Sequence, residues 1–350
     1  MLEPAFSAEP LLVGLEAPLS GDQRSNGRDI FRGALLAAEA INAAGGVLGR
    51  ELQLVRADDR ADPDRALPVA RRLRRLGVDA LIGPYNSGVG LLNLPFYVRE
   101  KIAPLHLTST DDTSGLGVTI QPKNSQISPV ESRYILNQGV KRVAVLVDPS
   151  AYTVGMADRL EAALRPQGVR VQRLVITPGE RSYRQPLAKA LRDQPDLLYV
   201  STYYPEGARI ARSLQRLDGS VPCFMGLGNV DPAFVDQAGL KAARACVFSG
   251  VPEAAQLPRA GDYVEAYRNR FGREPGVWGT FAYDSLHLYA QAVEQQGSSR
   301  YRPVLNALLN TSGYRGQTGR ITIDPLTGNR RKLPISILRV NRAGDFVVSA

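Results

Sequence analysis

Short apolar runs and amphipathic helices alternate along this chain, and the alternation starts over once. Leu11-Leu12-Val13-Gly14-Leu15 reads as a buried strand. A helix over about 28–44 follows, with Ile30, Ala34, Ala37, Ala38 and Ile41 on one face and Gly45-Gly46 ending it. Strands at 52–55, 79–82 and 103–107 then alternate with helices at 64–76 and 87–100. No hairpin signal interrupts this series, so it predicts parallel strands joined by right-handed crossovers. The stretch 122–128 reads as a connector, after which the pattern resumes. Strands are expected at 143–147, 169–176, 197–201, 223–226 and 246–249, and helices at 153–164, at 183–191 and from Pro205-Glu206 onward. Helices at 261–271 and 280–295 and strands at 320–323, 334–340 and 345–348 complete the chain. Two rounds of one pattern imply an α/β protein of two similar lobes, and 350 residues suffice for two cores.

Within the first round, Ala80-Leu81-Ile82-Gly83-Pro84-Tyr85-Asn86-Ser87-Gly88 is a strand, a turn and a helix start. Asn86, Ser87 and Gly88 favour a helix N-terminus, whose free N–H groups carry partial positive charge and suit a carboxylate. The polar loop Thr108-Ser109-Thr110-Asp111-Asp112 after the fourth strand is a second candidate for ligand contact. Asp111-Asp112 suits either a cation or the turn ahead of Gly115, the turn being the commoner use. Tyr152, Tyr203, Tyr204, Trp278 and Phe281 are residues that can wall a pocket with apolar faces and hydroxyl tips.

Catalytic sets are scarce. The chain has two histidines, His106 in a strand and His287 between Leu286 and Leu288 in a helix, both read as structural. No Gly-x-Ser-x-Gly elbow, phosphate loop or dinucleotide Gly-x-Gly-x-x-Gly appears. Two cysteines, Cys223 and Cys246, cannot build a thiolate metal cluster. They fit one disulfide or two separate buried thiols in neighbouring strands, and the separate thiols are the preferred reading. The net charge of +9 comes from arginine, with only six lysines, and the arginines are dispersed without interleaved aromatics. A solvated basic surface is therefore expected rather than nucleic-acid binding. No apolar run is long enough to cross a bilayer. Met1-Leu2-Glu3-Pro4 lacks the pattern of a secretion signal, so the chain is either cytoplasmic or stands here without its signal.

Ala17-Pro18-Leu19-Ser20-Gly21, then Gly33-Ala34, Ala37, Glu39, Ile41-Asn42 and Gly45-Gly46 at their spacing, then Gly49-Arg50-Glu51-Leu52 and Asp58-Asp59, resemble the leucine/isoleucine/valine-binding family. These are type I periplasmic solute-binding proteins of ABC importers. The similarity extends through Val147-Asp148 with Tyr152, Tyr203-Tyr204-Pro205-Glu206, Phe224-Met225-Gly226, and Trp278 to Asp284. The resemblance implies two Rossmann-like lobes joined by a three-strand hinge that closes on a ligand. One lobe would comprise 1–125 plus 253–330, the other 126–252 plus 331–350. It places the ligand's α-carboxylate at Ser87, in the turn with Tyr85 and Asn86, and its head group at Thr108 and Thr110. Tyr152 and Tyr203 match tyrosines that close from the second lobe.

One position departs from that pattern. The family's ammonium-binding glutamate falls on Gly228, so either Asp231, Asp284 or Asp111 substitutes, or the ligand lacks an amine. The expected role is the extracytoplasmic solute-binding component of an ABC importer. Its ligand would be a small carboxylate, an aliphatic or branched-chain amino acid first, delivered to a membrane permease. The chain is expected to act as a monomer, periplasmic or lipid-anchored outside the cytoplasm, without enzymatic activity, cofactor, metal or nucleic acid. The alternative is a ligand-sensing regulator of the same fold, binding an amide or related effector.

Overall fold

The structure, a computed structural model, describes Phe6 and residues 8–217 and 220–349; the reading of Met1-Leu2-Glu3-Pro4 lies outside them. The chain divides into two compact units, residues 1–122 with 254–333 and residues 123–253 with 334–350. Both are α/β, as the alternating pattern implies.

The first unit opens with β1 (Leu11–Ala17), α1 (Arg24–Ala43), β2 (Leu52–Asp58), α2 (Ala66–Arg75), β3 (Ala80–Ile82), α3 (Ser87–Arg99) and β4 (Ala103–Leu105). Its sheet runs β2-β1-β3-β4, with every pair parallel. β1 and β3 are almost wholly buried, and Leu81 packs with Leu73 and Val69 of α2 and Leu94 and Tyr97 of α3. That is the burial expected of a central parallel strand covered on both faces.

The second unit follows with α4 (Asn124–Asn137), β5 (Arg142–Val147), α5 (Ala151–Leu164), β6 (Arg170–Val175), α6 (Arg184–Leu191), β7 (Leu197–Ser201), α7 (Tyr204–Arg216), β8 (Cys223–Met225), α8 (Pro232–Ala238), α9 (Leu240–Arg244) and β9 (Cys246–Gly250). The chain then returns to the first unit for α10 (Gly261–Phe271), α11 (Val277–Gln296), α12 (Tyr301–Leu309) and the hairpin β10 (Tyr314–Gly316) with β11 (Gly319–Ile321). Finally β12 (Ser336–Val340) and β13 (Phe346–Val348) join the second sheet, whose order is β13-β12-β9-β8-β7-β5-β6. Its strands from β5 to β9 are parallel, whereas β12 and β13 pair antiparallel. Val143, Val145 and Val147 pack there with Leu160, Leu164, Tyr199 and Phe224.

Two expectations are corrected. The connector at 122–128 is the start of α4. Pro122, the polar run after it and Pro129 imitate a loop, yet Ile127, Ser128, Glu131, Ser132 and Ile135 line one buried face at helical spacing. Separate thiols are also overturned: Cys223 and Cys246 are directly paired residues of β8 and β9, and a disulfide joins them with their Cα atoms 4.6 Å apart. Helices α8, α9 and α12 and strand β10 are further elements that the sequence reading did not include, whereas the strand expected at 320–323 is β11.

Breaking the disulfide should matter, because it closes a loop of 23 residues' separation and so restricts the unfolded chain. Replacing both cysteines by alanine is expected to lower the unfolding free energy by about 3 kcal/mol. Urea unfolding of the two forms side by side measures this, and coincident midpoints would deny the bond any such role.

Candidate functional site

In the first unit, the ends of β3 and β4 are laced together. Gly83 N–H donates to the Leu105 carbonyl at 3.1 Å, and Leu107 N–H donates to the Pro84 carbonyl at 2.9 Å. Gly83 sits at φ +103°, and a Cβ there would lie 2.0 Å from the Glu16 carbonyl oxygen, so only glycine fits. This lacing brings Ser87, the first residue of α3, against the loop after β4: Thr110 N–H donates to Ser87 Oγ at 3.2 Å. Asn86 is the N-cap residue, and its carbonyl accepts the first intrahelical bond, from Gly90. The N–H groups of Ser87, Gly88 and Val89 thus precede the helix's own bonding. The Asn86 side chain does not cap the helix; its Nδ2 donates to Gln23 Oε1 at 2.8 Å, and its buried Oδ1 has no partner among the described residues.

Thr108 is fully buried, with Oγ1 2.8 Å from His106 Nδ1 and 2.7 Å from Thr113 Oγ1. Thr113 Oγ1 donates to the Thr110 carbonyl at 2.9 Å. Tyr85 accepts from Asn26 Nδ2 at 3.4 Å, and its ring lies 5.4 Å from that of Trp278, which lies 5.6 Å from Phe281. The first unit therefore gathers Tyr85, Asn86, Ser87, Thr108 and Thr110 around the carboxyl ends of β3 and β4.

Two buried acids support this region. Glu16, at the end of β1, accepts from Asn93 Nδ2 at 2.8 Å and from Tyr97 Oη at 2.7 Å. Burial, and then the charge of Asp59, hold Glu16 well above the usual carboxylate range. Asp59 accepts from Ala61 N–H at 2.8 Å, its buried Oδ2 has no partner among the described residues, and burial pushes it up to about 7.

In the second unit, Asp148 follows β5 and shapes the start of α5, its Oδ1 accepting from Ser150 N–H at 2.9 Å and Thr153 Oγ1 at 2.8 Å. Tyr152, in the first turn of α5, has its ring 5.5 Å from Tyr203, the N-cap residue of α7. Tyr152 Oη accepts from Gly228 N–H at 3.1 Å. Asn229 fixes the turn carrying Gly228 by donating to the Thr202 carbonyl at 3.0 Å and the Gly226 carbonyl at 3.2 Å. Tyr152, Tyr203 and Gly228 thus form a second group, at the carboxyl ends of β5, β7 and β8.

Asp284 joins neither group. Its carboxylate accepts from Gln317 N–H and Thr318 N–H, each at 2.8 Å, and from Thr318 Oγ1 at 2.6 Å, holding the β10–β11 hairpin. Asp231 accepts from Ala233 N–H at 2.7 Å and caps α8. A buried acid that sequence reasoning passed over faces Tyr152 of the second group. Glu131 of α4 accepts from Tyr199 Oη at 2.6 Å and from Ser249 Oγ, and burial pushes it up to about 7 against those two hydrogen bonds. Its signal was an acid at helical spacing from Ile127 and Ile135, legible only once the stretch is read as a helix.

A model of the periplasmic binding protein family matches residues 10–345. The chain belongs to that family. Its relatives include the Leu/Ile/Val-binding protein BraC3 of Rhizobium johnstonii, 28% identical over 297 residues, which are 83% of this chain and 80% of that one. The leucine binding protein LivK of Thermotoga maritima has a structure similar to this one, with a TM-score of 0.90, 25% identity, and coverage of 97% of this chain and 98% of that one. LivJ of Streptococcus pneumoniae, solved in complex with isoleucine, matches at a TM-score of 0.86 over 97% of this chain and 100% of that one; at 24% identity it attests the fold alone. The fold is that of the type I periplasmic binding proteins, and no helix among the described residues is long and apolar enough to cross a membrane.

The Glu16–Asp59 pair sets a pH dependence. Asp59 is near its ordinary value of 3.8 when unfolded and about 7 when folded, so between these the folded state holds more protons. Stability from this group is full at low pH and is lost as pH rises through about 7. Asp59→Asn keeps an acceptor for Ala61, and its urea midpoint is expected to lose part of that decline. A parallel decline in both proteins would remove Asp59 as a cause.

Proposed function

We propose that this protein is the extracytoplasmic solute-binding component of an ABC importer and that its ligand is a small carboxylate, an aliphatic or branched-chain amino acid first. The observation that carries this reading is the Ser87 arrangement. Ser87 Oγ accepts from Thr110 N–H, which leaves the serine's own proton and the first N–H groups of α3 to hold an anion. Thr108 and Thr110, beside it, serve the head group. Tyr152 and Tyr203, with rings 5.5 Å apart in the second unit, offer apolar faces of the kind that suit an aliphatic ligand.

Family membership supports solute binding, and the relative named for leucine, isoleucine and valine supports the amino-acid class. The disulfide supports an oxidising compartment outside the cytoplasm. The protein acts as a monomer, hands its solute to a membrane permease, and binds it without turnover.

Calorimetric titration with the aliphatic amino acids and the corresponding short carboxylates tests the reading, and heat from none of them would sink it. Ser87→Ala is expected to weaken carboxylate binding by about 1 to 3 kcal/mol, through loss of a hydrogen bond to a charged group. An unchanged affinity would remove Ser87 from the site.

A further inference from the structure

The arginines behind the net charge of +9 are dispersed along the sequence, but the fold gathers a set of them on one face of the first unit. Arg71, Arg72, Arg74 and Arg75 occupy the second half of α2, and all four are exposed. Helical geometry dictates this, because Ala66, Val69, Ala70 and Leu73 form the buried face and leave these positions to fan across the opposite one. Cations in the last turn also meet the negative end of the helix dipole.

The fan extends onto both neighbours of α2. Arg72 reaches β2, where it donates to the Arg56 carbonyl at 3.0 Å. Arg74 turns towards α3 and lies 3.3 Å from Glu100, whose other oxygen is 3.3 Å from Arg99, and Lys101 is exposed beside them. One acid is thus shared by two arginines, in exposed contacts of little strength. Between these flanks Arg71 and Arg75, one turn apart, make no side-chain hydrogen bond or ion pair among the described residues. The Arg56 and Arg99 guanidinium groups lie over the Phe31 and Phe96 rings, 5.3 and 5.1 Å from their centres. Stacking of this kind leaves the N–H edges of a guanidinium available to an oxyanion such as a phosphate.

Apolar side chains stand open beside these charges. Asn93, Leu94 and Tyr97 form the buried side of α3, so Leu92 and Arg99 share its outward side, and Leu92 is 48% exposed. Leu76, the C-cap residue of α2, is 45% exposed directly after Arg75. A solvated basic surface or a nucleic-acid face has no use for leucines in this position. An anionic lipid surface uses both, with guanidinium groups on its phosphates and aliphatic side chains at the level of the headgroups.

We propose that the outward sides of α2 and α3 form a docking surface for an anionic phospholipid bilayer. This stands apart from the identity of the solute, although it would hold a binding protein beside a membrane permease. Ser87 opens α3 and Arg99 closes it, roughly 18 Å apart along the helix, so the arginines dock at the opposite end of α3 from the serine.

The probe is a sedimenting vesicle of phosphatidylcholine with about 30 mol% phosphatidylglycerol, compared with phosphatidylcholine alone. The unaltered protein is expected to partition onto the anionic vesicles at least about tenfold more than onto the neutral ones, and to lose about tenfold as salt rises from about 50 to about 300 mM. Arg71→Gln with Arg75→Gln removes charges that hold nothing in the fold and should lower the partition about twentyfold. Arg339→Gln with Arg342→Gln removes as much charge from exposed positions of the second unit and should stay within about twofold of the unaltered protein. Leu92→Ser should lower the partition about threefold at every salt concentration. A short double-stranded DNA, titrated as a competing polyanion, should bind at least about tenfold more weakly than the vesicles. Equal partition onto both kinds of vesicle, equal loss from the two arginine pairs, no loss in Leu92→Ser, or DNA binding as tight as vesicle binding overturns the proposal.

Discussion

The Asp29 carboxylate is the contact on which the first unit depends. It lies on α1 and accepts from Gly276 N–H at 3.0 Å, Gly279 N–H at 2.6 Å and Tyr267 Oη at 3.0 Å. Two of these donors are buried backbone N–H groups at the start of α11 that lie ahead of the helix's own bonding, almost 250 residues away in sequence, and the negative charge meets the positive end of that helix. Burial still raises Asp29 above its ordinary range, so the attraction only partly offsets desolvation. The helices also approach closely, since a Cβ on Gly33 would fall 1.9 Å from the Gly279 carbonyl oxygen. What α11 carries follows from this anchoring: Trp278 and Phe281 beside Tyr85, and Asp284 beneath the β10–β11 hairpin.

Features that depend on neighbours in sequence were legible in advance. Leu81-Ile82 followed by Gly83-Pro84 and Asn86-Ser87 could hardly be anything but a strand, a turn and a helix start, and the structure has β3 and α3 there. Features set by distant partners were not. An aspartate at 284 carries no sign that Gln317 and Thr318 will surround it, so its suitability as an ammonium partner could not be judged beforehand. The 122–128 stretch failed for a related reason: two prolines and polar residues outweigh a buried face that shows only when the helix is traced to Ile135. The cysteines turned on register, because only the pairing of Cys223 with Cys246 across β8 and β9 puts the sulfurs within bonding range.

A common electrostatic theme runs through both units. Glu16 near the end of β1 with Asp59 just after β2 in one, and Glu131 on the buried face of α4 in the other, are acids bonded to neutral donors and raised by burial. Parallel strands converge their chain ends on one side of a sheet, where polar side chains are enclosed by the crossover helices that cover its faces. Burial raises acids enclosed there, whereas Asp58, more open and better hydrogen-bonded at the end of β2, is lowered. The same layout that creates a binding edge therefore also creates groups sensitive to what approaches it.

The division of the chain into 1–122 with 254–333 and 123–253 with 334–350 has a consequence for synthesis. A nascent chain emerges from its amino terminus, and domains tend to form as their residues become available. Here the first segment lacks α11, and with it the helix end that Asp29 binds, until residues beyond 276 have emerged. The parallel strands β5 to β9 and both cysteines lie within one uninterrupted segment, and can assemble while the earlier residues still wait. The segment made first is thus completed late, and its exposed sheet needs shielding in the interval.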